Sequence, residues 1–162
     1  SWKQNRSADA QRLPRSIDWP ISNNASFYTL ILLDVDVPTR KFPIYKDRQH
    51  WIVTNIPRNR WQYGEKLTTY LGPIAPRNTG LHRYVFLVYK QPEIIHFDEK
   101  RLTGLDKESY FMRNCYSVEK FVTKYNLGRP HAINFFLSGW PLNQDTIPSR
   151  RKNETVTATV SG

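Results

Sequence analysis

Three stretches of this chain are apolar at nearly every position: 28–33, 51–53 just after His50, and 85–89. Each has the length of a strand and is rich in aromatic or β-branched residues. An apolar run without alternation predicts a strand covered on both faces, so 28–33 and 82–89 are expected as central strands, with 50–56 a further strand ending at Pro57. Residues 131–140 predict a fourth strand, with Ile133, Phe135 and Leu137 alternating against Ala132, Asn134 and Phe136. The segment 17–20 ends in Pro20 and predicts a short edge piece, because proline cannot donate to a central ladder. Only one stretch carries a clear helical period. Val118, Phe121, Val122 and Tyr125 fall at i, i+3, i+4 and i+7, with Ser117 to cap, Glu119 in the first turn and Gly128 beyond the end; this predicts a helix over 117–125.

The connections have their own signals. Pro38, Pro43 and the charges between Arg40 and Asp47 predict a loop over 35–47, and Gly72, Pro73, Pro76 and Gly80 a stiff surface loop over 71–80. Residues 91–116 are mixed and charged, and are expected as a long loop with short ordered pieces. Trp51, Trp61 and Trp140 are expected in the core. The pattern predicts a mainly β fold of antiparallel strands with one or two peripheral helices. Residues 1–16 form an irregular lead-in, 17–141 the domain, and 142–162 a basic tail, flexible or a loose edge strand.

A chain of 162 residues, 39% hydrophobic, suits one domain with a real core and excludes a disordered segment. Lysine and arginine exceed aspartate and glutamate by 24 − 14, a net charge of +10, which attracts nucleic acid, anionic lipid or acidic protein. The cations are scattered rather than striped. No stretch approaches the roughly 18 apolar residues of a membrane span. Cys115 is the sole cysteine, which excludes an internal disulfide and predicts a small buried side chain. The glycosylation-like triplets at Asn5, Asn24 and Asn153 read as chance matches.

Candidate chemistry lies at the ends of the three apolar runs. Asp34 and Asp36 close the first in Asp34-Val35-Asp36-Val37-Pro38, His50 heads the second, and His82 and Tyr84 open the third in Gly80-Leu81-His82-Arg83-Tyr84. If the runs share a sheet, these groups meet. Imidazolium and phenol donate hydrogen bonds to a phosphate or carboxylate, while an aspartate orients an imidazole or accepts from an ammonium group. The set suits a zwitterionic phosphate head group. Enzyme chemistry lacks a signature: there is no H-x-H or H-E-x-x-H spacing for a metal, Ser138 lies outside a nucleophile elbow, and Cys115 has no motif partner. His96 and His131 read as surface or strand-start residues.

These motifs, in this order, resemble the phosphatidylethanolamine-binding protein family in an animal, insect-like form, with further likeness in Pro57, Gly72-Pro73, residues 87–91 and Lys120-Phe121. The resemblance spans about residues 17–140. It implies a β-sandwich of the family type and a non-enzymatic binding module without cofactor or resident metal. By the same resemblance Asp34, His50, His82 and Tyr84 fall on the anion pocket, Asp36 and Pro38 on the loop that shapes it, and Tyr45 and Pro76 on its rim. It implies a phospholipid head group or phosphorylated small molecule as ligand, a protein kinase as a candidate partner, and a monomer in the cytoplasm, with secreted and mitochondrial locations as alternatives. Two rival functions follow from the same family: a structural subunit of the mitochondrial large ribosomal particle contacting RNA and protein, and a serine-protease inhibitor. The chain departs from the family pattern at Val35, at Ile74-Ala75, at Arg48 and after Pro141, where no amphipathic helix follows and a more open pocket is expected.

Overall fold

The computed structural model describes residues 12–73, 75–104, 106–139 and 156–157. Ile74, Trp140 and most of the 142–162 tail, on which sequence expectations were placed, lie outside the described residues. Five strands form one antiparallel sheet in the order β4-β3-β2-β5-β6. They are β2 (Phe27–Asp34), β3 (Arg48–Pro57), β4 (Glu65–Thr68), β5 (Leu81–Gln91) and β6 (Ala132–Gly139). A second, two-stranded ladder joins β1 (Ile17–Asp18) in parallel to β7 (Val156–Thr157). The mainly β, antiparallel architecture is the one the hydrophobic pattern predicts.

Strand β2 is central because seven of its eight positions are buried. On one face Leu30, Leu32, Trp51, Val53, Tyr84, Phe86 and Val88 form a core closed by Ile17 and Trp19 from the β1 layer. On the other, Ile31, Leu33, Ile52 and Tyr89 pack under Phe97 and Phe121. Each such side chain contributes about 1.5–3 kcal/mol when removed from water. At the edge strand β6, Ala132 turns inward, whereas Ile133, Phe135 and Leu137 are 44–60% exposed.

A buried polar clamp sets the register at one end of the sheet. The Thr29 hydroxyl donates to Gln91 Oε1 (2.9 Å), Asn55 N–H donates to the same oxygen (2.8 Å), and Gln91 Nε2 donates to Asn55 Oδ1 (2.7 Å). Three strands are thereby tied through one amide.

Helix α2 (Val118–Lys124) forms as expected, with Ser117 Oγ accepting from Lys120 N–H and Phe121 buried. A second helix, α1 (Lys107–Met112), stands where a loop was expected. Asp106 caps it by accepting from Ser109 N–H, but none of its residues is buried, so no apolar period marks it in the sequence. Cys115 corrects another expectation. It is exposed, at φ 56°, in the turn after α1, because the neighbouring Arg113 takes the interior position.

Gly64 yields a stability test. A β-carbon there would lie 2.5 Å from Val53 Cγ1 and 2.8 Å from the Thr54 carbonyl. Gly64→Ala should therefore cost about 1–3 kcal/mol by overpacking, read as a lowered urea midpoint with an unchanged m-value.

Candidate functional site

The site forms at the opposite end of the sheet from the clamp, where register places Asp34 beside Tyr84 on β5 and Arg48 on β3. Alternation along β5 puts His82, Tyr84 and Phe86 on one face. His50 joins them through a bulge. Leu32 pairs with Trp51 and Leu33 with Gln49, so His50 is the extra residue of β3 and its side chain is re-aimed. Its ring meets Tyr84 edge-on at 5.1 Å, and Tyr84 in turn stacks between His82 (6.5 Å) and Phe136 (5.2 Å).

Asp34 organises the polar atoms. Its Oδ1 accepts from Asp36 N–H (2.9 Å) and its Oδ2 faces His82 Nδ1 (2.8 Å). The other ring nitrogen of His82 meets Thr79 Oγ1 at 2.9 Å. Because the Thr79 hydroxyl donates its one proton to the Pro76 carbonyl (2.7 Å), it accepts from His82 Nε2. Both His82 nitrogens are thus placed to donate. Asp34, His50, His82 and Tyr84 are each 1% exposed or less. Thr79 and Phe136 contact this buried cluster; most of the C-terminal region from which a more open pocket was expected lies outside the described residues.

His50 differs from His82. Its Nδ1 lies 2.8 Å from the Leu71 carbonyl, which can only accept, so the proton sits on Nδ1. Nε2 is buried with no hydrogen-bond partner among the described residues. Burial pulls the His50 pKa down to about 4, reinforced by Arg48 and Arg113 and opposed by the Leu71 carbonyl and Asp34. Both arginines are buried. Arg113 spans the carbonyls of Thr69, Leu102 and Gly104, and Arg48 lies 3.7 Å over the Tyr110 ring. Neither forms an ion pair among the described residues. Behind His50, therefore, stand two cations without counter-ions among the described residues.

The other candidate residues take different places. Asp36 is committed to Arg83. Its Oδ2 accepts from Arg83 N–H and Nε (2.8 and 3.0 Å), and its Oδ1 accepts from Nη2 (2.8 Å). Burial pushes this carboxyl up, but the hydrogen bonds and charge of Arg83 more than offset that and hold it below its usual value. Pro38 follows a cis peptide bond and is half-buried, Tyr45 is exposed on the 35–47 loop, and Pro76 contributes the carbonyl that fixes Thr79. His131 Nε2 donates to the Pro20 carbonyl (2.7 Å), and His96 is exposed. Neither joins the site.

Thr79, Arg83, Arg113 and Phe136 were missed by sequence reasoning. Arg83 sat inside a recognised motif, between two residues assigned to the pocket. Thr79 and Arg113 had no period or charge pattern to single them out. Among the described residues no group of three His, Cys, Asp or Glu side chains could hold a metal ion, and no helix is long and apolar enough to cross a membrane. A separate cavity of about 120 Å³, lined by Gln49, Ile52, Leu67, Tyr116 and Phe121 among others, lies on the opposite face and does not include the site residues.

A sheet carrying an acid–imidazole pair at one end of its central strands defines a binding-site class, and comparison with known proteins gives it a family. The phosphatidylethanolamine-binding protein model matches residues 5–136, and the chain belongs to that family. It is 38% identical over 126 residues to "Putative odorant-binding protein A5" of Drosophila melanogaster, covering 76% of this chain and 57% of that protein. The chain thus spans little more than half the length of this relative. Two solved structures share the fold: a carboxypeptidase Y inhibitor bound to its cognate proteinase (TM-score 0.57, 22% identity, 74% of this chain and 63% of the other) and a phosphatidylethanolamine-binding protein from Plasmodium vivax (TM-score 0.54, 20% identity, 73% and 66%).

The His50 environment predicts a pH effect. Between the folded value near 4 and the unfolded value of 6.5, the unfolded chain binds more protons, so stability falls as pH drops through that window. A displacement of this size corresponds to about 3 kcal/mol. Urea unfolding of wild type and His50→Asn at several pH values should show a steeper acid loss in wild type; parallel curves would exclude His50 as the cause.

Proposed function

We propose that this chain is a non-enzymatic binding module that takes a phosphorylated, amine-bearing head group of the phosphoethanolamine type at Asp34, His50, His82 and Tyr84. The observation that carries this reading is the pairing of two oppositely disposed imidazoles in one buried cluster. His82 Nε2 offers a donor, now satisfied by Thr79, while His50 Nε2 offers a lone pair, satisfied by nothing among the described residues. A phosphate oxygen replaces the Thr79 hydroxyl at His82. A P–OH proton meets His50. The cations Arg48 and Arg113, without an ion pair among the described residues, add a positive field that favours an anion in a low-dielectric setting. The Drosophila relative and the family description, both of binding proteins, support binding rather than catalysis.

The ligand enters by displacing the 71–80 loop. Gly80, at φ 79° with nothing within 4 Å of an added β-carbon, gives that loop a hinge conformation open mainly to glycine. A protein partner at the loop, such as a kinase, would compete with or favour the occupied state according to which loop position it contacts.

A second reading concerns the cavity on the opposite face. It measures about 120 Å³, and its lining is mixed, with Gln49, Glu99 and Lys100 beside Ile52, Leu67 and Phe121; the name of the Drosophila relative refers to an odorant. A small apolar alcohol would then bind without regard to His82.

Calorimetric titration with phosphorylethanolamine separates these readings. His82→Gln should weaken binding about 10-fold or more, as loss of a charge-assisted hydrogen bond does. Thr79→Val, which removes the competing hydroxyl, should tighten it about fivefold. Absence of saturable binding by folded wild type would exclude the head-group reading.

A further inference from the structure

The β2–β3 loop carries large apolar side chains that none of the described residues covers. Phe42 is 62% exposed, Ile44 69% and Tyr45 46%. Arg40, Lys41 and Lys46 flank them, all exposed, and Lys41 Nζ lies 5.4 Å from the Phe42 ring. No acid lies between Val37 and Lys46. Asp36, before the loop tip, is neutralised by Arg83, and Asp47, after it, is only partly exposed, with burial pushing its carboxyl up.

This exposure is built rather than incidental. Phe42 N–H donates to the Thr39 carbonyl (3.1 Å), Ile44 N–H to that of Phe42 (2.9 Å), Tyr45 N–H to that of Val37 (3.0 Å) and Lys46 N–H to that of Pro43 (3.1 Å). From outside the loop, Cys115 N–H donates to the Tyr45 carbonyl (3.2 Å), and buried Val37 anchors the base. The amides of Phe42, Ile44, Tyr45 and Lys46 are thus bonded within the loop, and aromatic and aliphatic groups are held outward.

We propose that residues 40–46 form a membrane-surface hook that docks on anionic bilayers. A bilayer fits this tip better than a protein surface does. A protein partner needs a concave pocket matched to each side chain, whereas lipid closes around a protrusion of any shape. The order cation–cation–Phe–Pro–Ile–Tyr–cation matches the layering of the interface: apolar groups in the acyl boundary, tyrosine at head-group level and basic residues against the anionic surface. Amides already bonded within the loop lose little on leaving water. The docking stands on the loop alone and does not depend on occupancy of the head-group site.

The test is co-sedimentation of the full chain with phosphatidylcholine vesicles made with and without phosphatidylserine. Binding should require phosphatidylserine and fall steeply with salt. Lys41→Glu should weaken it by about fivefold or more, given the contribution of one basic residue near such a surface. Phe42→Ser with Ile44→Ser should remove most of it, while Tyr63→Ser, at an exposed aromatic elsewhere, should not. His82→Gln should leave vesicle binding intact, which separates the hook from the head-group reading. A polarity-sensitive fluorophore on Cys115, whose Sγ lies 4.0 Å from the Ile44 carbonyl, should shift to the blue on vesicles. The proposal is overturned by absent phosphatidylserine-dependent binding, by binding that survives the double substitution, or by a blue shift with soluble polyglutamate as large as that with vesicles.

Discussion

The Asp34 carboxylate is the constraint from which the functional end of this domain follows. One oxygen holds the amide of Asp36 and so starts the turn that leaves β2; the other holds His82 on β5. A buried carboxylate is tolerated only where its oxygens are paired. The strand therefore has to end where His82 and the turn can both reach it. Asp36 then meets Arg83 through three hydrogen bonds, which fixes the path of the next loop against the edge of the site. Chemistry at the pocket and presentation of residues 40–46 are consequences of the same two acids.

The sheet was legible because its strands are continuous in apolar character. Residues 28–33 could only be central, and the helix at 117–125 announced itself by period and cap. Helix α1 was not legible, since a six-residue element with no buried side chain leaves no period. The cluster of Asp34, His50, His82 and Tyr84 was named in sequence, yet its geometry was not. The bulge that brings His50 to the face of Trp51 cannot be read from alternation, which places the two on opposite faces. Thr79 was invisible for a different reason: its role depends on a single hydroxyl proton being spent on Pro76. Thr79 and Phe136 both contact the buried cluster, and neither carries a motif that marks that role.

Two kinds of polar burial coexist here. The Thr29–Gln91–Asn55 clamp is internally satisfied and serves the register of three strands. On the His50 side, Nε2 has no partner and the two nearby arginines have no counter-ions among the described residues. Unmatched polar groups cost stability, and a protein retains them where a ligand completes them. That contrast, within one sheet, separates the structural end of the domain from the proposed binding end.

The measurement that tests this account most directly is the ring ¹⁵N spectrum of the histidines, recorded near neutral pH with and without phosphorylethanolamine. The account predicts His50 protonated at Nδ1 with a free lone pair at Nε2, and a large shift of that Nε2 signal when ligand is added. A His50 proton on Nε2, or histidine signals that ligand leaves unmoved at saturating concentration, would contradict it.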